Sequence, residues 1–144
     1  MVPLGSAYVT ESPIDTEREL KLISSTSENI GAIVTFRGVV RGVSGGKEID
    51  KLFYDYYPEM ASDSLRKIRK EAISRFGLID ATVIHRVGEV GVGELALLVV
   101  TASEHRKEAF AAAQWIVDEV KRSTAIWKKE IFKGGGGEWV SEEG

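Results

Sequence analysis

The chain has 144 residues, 43% hydrophobic and 28% charged, the composition of one folded domain rather than of a disordered segment. Its formal net charge is −3 and its pI is near 5.5. That acidity argues against a nucleic-acid-binding protein, which usually carries a basic domain.

Short strand and helix patterns alternate along the sequence. AYVT (7–10) reads as a strand, and SPIDTERELKLIS as a helix that starts at Pro13 or Asp15 and carries Leu20 and Ile23 on one stripe. GAIVTFRGVVRG (31–42) is β-branched and bounded by glycine, which predicts a strand. VSGGKE then reads as a loop and IDKLFYDYY (49–57) as the next strand. Pro58 suits the first turn of a helix in which Ala61, Leu65, Ile68, Ala72 and Phe76 recur at helical spacing. IDATVIHRV (79–87) and ELALLVVTAS (94–103) predict two strands joined by the glycine-punctuated GEVGVG. A second long helix is expected from Glu104 to Lys121 with Ser103 as its N-cap. AIWKKEIF and EWV then flank KGGGG as two short strands around a turn. The order βαββαββαββ indicates an α+β fold, a single domain over residues 1–144 with a mostly antiparallel sheet and helices packed on one face.

Several reaction classes are excluded. The chain has no cysteine, so disulfides, thiolate nucleophiles, iron–sulfur clusters and cysteine-based zinc sites are impossible. Its two histidines, His85 and His105, are too far apart for a local metal motif, and neither a metal nor a cofactor is expected. Apolar runs such as LALLVV (95–100) are far shorter than the roughly 20 residues that span a bilayer. MVPLGSAYVTES lacks the basic and apolar regions of a leader. A cytoplasmic protein without a membrane segment is therefore expected.

Basic residues mark the candidate chemistry. His105, Arg106 and Lys107 stand at the start of a helix, where the macrodipole disfavours cations unless an anion binds. The same residues also read as surface charge neutralised by Glu104 and Glu108. Arg37 and Arg41 alternate in phase, which predicts one face of a strand. KRSTAIWKKEIFK (121–133) holds five basic side chains and one acidic one around Trp127, for which packing in the core is expected. Ser123 and Thr124, followed by β-branched and aromatic residues, predict that the helix stops between Lys121 and Lys128, leaving the two lysines on either side of a corner. A lysine transfers protons near neutrality only if its pKa falls well below about 10.4, which neighbouring cations and burial promote. A small polyanion- or RNA-binding module would use the same cluster as a solvated basic face. His85 reads as a hydrogen-bonded structural histidine.

Taken in order, GAIVTFRGVVRG, VIHRVGEVGVGE, VVTASEHRKEAF and VKRSTAIWKKE followed by EWV resemble the motifs of the large, catalytic subunit of molybdopterin synthase, over about Val9 to Val140. The resemblance implies a hammerhead-like fold and a transferase of molybdenum cofactor biosynthesis. It implies a homodimer within a heterotetramer, each large subunit taking one small ubiquitin-like sulfur-carrier subunit with a thiocarboxylated Gly-Gly tail. That tail would deliver two sulfurs to cyclic pyranopterin monophosphate, giving the dithiolene of molybdopterin. The absence of cysteine agrees, because the sulfur belongs to the partner.

Carried over by motif, the resemblance assigns Lys121 to proton transfer or a transient covalent link, with Lys128 assisting and orienting. His105 and Arg106 are assigned to phosphate or pterin binding, as is Arg41 with Val39 and Val40 beside it, and Lys129 and Glu130 to the pocket edge. Two departures stand out. Ala125 occupies a position where many relatives have proline, and EWVSEEG is acidic where some relatives carry a basic residue.

Overall fold

The computed structural model describes residues 2–140, so the end of the acidic EWVSEEG segment, 141–144, lies outside the described residues. The elements run β1 (Ala7–Thr10), α1 (Thr16–Ser24), β2 (Ala32–Val39), β3 (Val43–Ser44), β4 (Lys47–Tyr56), α2 (Pro58–Phe76), β5 (Asp80–Arg86), β6 (Gly88–Gly91), β7 (Leu95–Ser103), α3 (Arg106–Ser123), β8 (Ile126–Phe132) and β9 (Gly137–Val140). The strands form two sheets. In the first the order is β1-β5-β7-β2, with β1 parallel to β5 and the other neighbours antiparallel. The second is antiparallel, β3-β4-β8-β9, with β6 also pairing β4. The α+β class and the largely antiparallel pairing agree with the sequence reading.

Local chemistry explains the elements. Asp15 caps α1, its Oδ1 accepting from the backbone N–H of Arg18 at 3.1 Å. Pro58 opens α2, and Gly77, in the left-handed region at φ 64°, ends it. The segment read as a loop at VSGGKE is a hairpin: Gly45 and Gly46 have φ of 57° and 80°, which a two-residue turn requires, so Val43 and Ser44 pair with Glu48 and Lys47. Part of the glycine-rich connection after β5 is a strand too, since β6 leaves the first sheet to join β4 in the second. Ser103 does not cap α3. It is still paired in β7, opposite Ala32, and Gly31 N–H donates to its carbonyl, so the helix begins at Arg106 with His105 at the N-cap position.

The helices also divide differently from the expectation. Leu65, Ile68 and Ala72 of α2 and Ala112, Ile116 and Val120 of α3 pack on Ala81, Val83, Leu97 and Val99, one face of the first sheet. Ile23 of α1 packs on Ile84, Leu98, Val100 and Ala102, the opposite face. Placing every helix on one face is therefore corrected for α1. Because both faces are covered, β5 and β7 are buried along almost their whole length, and their sequence shows apolar runs instead of alternation. Each large side chain buried this way contributes about 1.5–3 kcal/mol. Among the described residues no helix is long and apolar enough to cross a membrane.

One polar cluster ties the chain start to this layer. The fully buried carboxylate of Asp80 accepts from Thr26 Oγ1 at 2.7 Å, from the N–H groups of Gly5 and Ala81 at 2.8 Å each, and from Arg69 Nη2 at 2.8 Å. Burial alone would push its pKa up, but the hydrogen bonds from Thr26, Arg69, Ala81 and Gly5 outweigh that and hold the carboxyl below its ordinary value. A depressed folded-state pKa stabilises the fold above the unfolded-state value near 3.8, and that contribution is lost as pH falls through the folded value. Asp80→Ala should cost about 3 kcal/mol in urea unfolding at pH 7, and the difference from the parent should shrink on acidification below about pH 4.

Candidate active site

A cavity of about 330 Å³ opens where the two sheets and the end of α3 meet. Four stretches of chain line it. The first is the exit of β2, where a register shift between Gly38 and Val39 bends the strand. Beyond the bend, Val40 N–H donates to the Glu94 carbonyl and Gly93 N–H to the Val40 carbonyl. Those bonds hold the segment that sets Val39, Val40 and Arg41 at the cavity. The shift also breaks the phase expected to put Arg37 with Arg41: Arg41 lines the cavity, and Arg37 is exposed on β2 away from it.

The second stretch is the last turn of α3, which supplies Val120, Lys121 and, at its end, Thr124. The helix stops there as the sequence indicates. Ser123 Oγ and Thr124 Oγ1 donate to the carbonyls of Glu119 and Val120 at 2.8 and 2.7 Å, and Thr124 turns extended at φ −92°, ψ 153°. Ala125 completes the corner without a proline, its carbonyl accepting from Tyr57 N–H at 3.2 Å.

The third is β8. Strand alternation turns Ile126, Lys128 and Glu130 to the cavity and Trp127 and Lys129 to the other face. Trp127 is thus 47% exposed, contrary to the packing expected for it, and meets Tyr57 edge-on with centroids 5.3 Å apart. Lys129 Nζ lies 5.6 Å from the ring centre of Trp139 on that outer surface. Lys129 is therefore not at the pocket edge, while Glu130 is.

The fourth is the wall behind the lysines, made by Leu52 and Tyr54 of β4 and His85 of β5. His85 is buried, and Nδ1 donates to the Arg86 carbonyl at 2.6 Å. Burial, with the charges of Lys121 and Lys128 adding to it, lowers its pKa to about 4 against the pull of that hydrogen bond. The sequence reading left His85 out of the site. Its parity with Ala81 and Val83, which face the long helices, is the signal that places it.

His105 and Arg106 are not brought to this cavity by their own chain. They stand at the start of α3, fifteen residues before Lys121 along the helix, roughly 22 Å at 1.5 Å per residue. Among the described residues no group of three or more His, Asp or Glu side chains is placed to hold a metal ion. Among the described residues, Arg41, Lys121 and Lys128 share the cavity lining with one carboxylate, Glu130, and with the apolar Val120, Leu52 and Ile126. Such a cavity suits an organic anion with an apolar or planar body.

A model of the MoaE protein family matches residues 9–123. The chain is 47% identical over 115 residues to the molybdopterin synthase catalytic subunit of Pyrococcus abyssi, a match covering 80% of this chain and 76% of that protein. Its fold is similar to that of the crystal structure of molybdopterin synthase from Staphylococcus aureus, with a TM-score of 0.85, 31% identity, and coverage of 93% of this chain and 96% of that one. A chain in the protein–protein complex of subunits 1 and 2 of molybdopterin-converting factor from Helicobacter pylori shares the fold at a TM-score of 0.75 and 23% identity, over 94% and 90% of the two chains. A family match that spans most of the sequence, with a fold to suit it, means that this chain belongs to the MoaE family.

Proposed function

We propose that the chain is the catalytic subunit of a molybdopterin synthase and acts as a sulfurtransferase in molybdenum cofactor biosynthesis. The observation that carries this reading is the convergence of Lys121 and Lys128, from either side of the α3–β8 corner, on one cavity with Arg41. Cyclic pyranopterin monophosphate has a planar ring system and a phosphate. Arg41, beside Val39 and Val40, is positioned to bind the anion, and the apolar lining to take the ring.

The sulfur donor is the thiocarboxylated tail of a small ubiquitin-like subunit, as the cysteine-free sequence requires an outside source. The Helicobacter pylori structure of similar fold is a complex of two subunits, which supports this partner. In each transfer a C–S bond forms at a pterin side-chain carbon as a C–O bond there breaks, its oxygen leaving with the phosphate or as water, and a further water cleaves the acyl C–S bond, leaving sulfur on the pterin and the tail as an ordinary carboxylate. Lys121 moves protons at the reacting carbon or links to it transiently, Lys128 orients the substrate, and Glu130 closes the cavity edge. The cytoplasmic location expected from the sequence is part of this reading.

His105 and Arg106 fit the reading only if a second copy presents them. Within one chain the length of α3 separates them from Lys121, so we assign their phosphate- or pterin-binding role to the neighbouring subunit's cavity in a homodimer. An RNA-binding face is not favoured, because Arg41, Lys121 and Lys128 line a concave site instead of an exposed stripe.

Mixing this chain with a thiocarboxylated small subunit and the cyclic precursor should yield molybdopterin, and Lys121→Ala should lower turnover at least about 100-fold with the subunit complex intact. No product from intact components in a formed complex would sink the assignment. Lys128→Ala should reduce kcat/KM by about tenfold or more while Lys129→Ala stays within about threefold, since only the former side chain faces the cavity. Co-expressing Lys121→Ala with Arg106→Ala should restore about a quarter of parental activity, because half the dimers are mixed and one of their two sites is whole. Absence of any recovery would place both residues in one chain's site.

A further inference from the structure

The imidazole of His85 is a buried titratable group on the cavity wall that the roles above do not use. Its parity on β5 turns it toward the layer of α2 and α3, near the end of α3 that carries Lys121. Two contacts fix the ring. The Arg86 carbonyl oxygen lies 2.6 Å from Nδ1, and a carbonyl can only accept, so Nδ1 carries the proton and Nε2 is left as an acceptor. Tyr54, another cavity residue, meets the ring edge-on with centroids 4.9 Å apart and planes at 74°.

Among the described residues, the other titratable or charged groups on the wall are Arg41 after β2, Tyr54 on β4, Lys121 on α3, and Lys128 and Glu130 on β8. With three cations against one carboxylate, a protonated imidazole here would add a further unfavourable buried charge. Burial, and then the charges of Lys121 and Lys128, in that order, keep His85 neutral at neutral pH. Of the two lysines, Lys121 acts on it more strongly.

We propose that His85 is a positioning residue for Lys121: its Nε2 lone pair, aimed by the Nδ1–H bond to Arg86, accepts a hydrogen bond from the lysine ammonium and holds it in the cavity. A carboxylate in this place would orient the ammonium equally well, but it would cancel the positive field that an anionic substrate needs. A neutral acceptor orients without discharging. The inference rests on the catalytic role proposed for Lys121.

Two substitutions separate this role from simple packing. His85→Phe keeps the ring volume and the edge contact with Tyr54 but has no acceptor, whereas His85→Gln keeps an acceptor near the Nε2 position and loses the ring. Positioning predicts that His85→Phe lowers kcat about tenfold with KM for the precursor within about twofold, and that His85→Gln stays within about threefold of the parent. Packing alone predicts the reverse order, and that order would overturn the inference. Thermal unfolding establishes that both variants are folded.

A second measurement does not depend on turnover. Acetylation of Lys121 by acetic anhydride at one fixed pH, followed by mass spectrometry, should be faster in His85→Phe than in the parent and unchanged in His85→Gln, because an amine without its acceptor is no longer held against the wall. A parental Lys121 acetylation rate in a folded His85→Phe protein with parental kcat overturns the proposal. If the parent chain makes no product, the catalytic reading fails, and the labelling rates decide the role of His85 by themselves.

Discussion

The register of β8 against β4 is the constraint on which the site depends. Lys128 stands opposite Tyr54 and Glu130 opposite Leu52, so Lys128, Glu130, Tyr54 and Leu52 share the cavity face. A slip of one residue would turn Trp127 and Lys129 into the cavity and send Lys128 and Glu130 to the outer surface. The pairing is held from both sides, because β4 also pairs with β6 and β8 with β9. β6 is the middle of the connection between β5 and β7, so the same ladder that sets the lysine also links the two sheets. The corner at Ser123–Thr124 then delivers the chain from α3 into β8, with the last helical turn already at the cavity.

The electrostatic character of the cavity follows from this geometry. Three cations reach it from separate elements: Arg41 past a strand irregularity, Lys121 from a helix end, and Lys128 from a strand. Arg41 is exposed to solvent at the cavity mouth, which spares the fold the large penalty of burying that charge. Asp80, by contrast, is fully buried and surrounded by partners, accepting five hydrogen bonds from Thr26, Leu4, Gly5, Ala81 and Arg69. The contrast separates a carboxylate that holds the fold from cations that line an open cavity.

Some of this organisation was legible in the sequence for clear physical reasons. Ala61, Leu65, Ile68 and Ala72 recur at helical spacing because α2 buries a single stripe, and those four residues are the ones buried. Pro58 and Asp15 mark helix starts through local chemistry that needs no distant partner. The side of the sheet taken by α1 was not legible, since β5 and β7 are apolar on both faces and carry no alternation to decide it. The strand character of Gly88–Gly91 was hidden as well, because glycine has little strand preference and the pairing partner, β4, is more than thirty residues away. Lys129 was placed at the cavity by motif adjacency, which strand alternation overrules.

By itself the sequence determined the helices and most of the strands, the absence of any cysteine thiol, the break between Lys121 and Lys128, and the set of motifs that marks the family. These are local properties, set by periodicity, caps and residue chemistry. Only the tertiary structure decided that Lys128 and Glu130 face inward while Lys129 faces outward, that Arg41 and not Arg37 reaches the cavity, and that His85 stands behind the lysines. It also set His105 and Arg106 a helix length away from Lys121. Those placements depend on strand register, on a β-bulge and on which elements meet across the two sheets, and such pairings between distant segments leave no mark in the spacing of neighbouring residues.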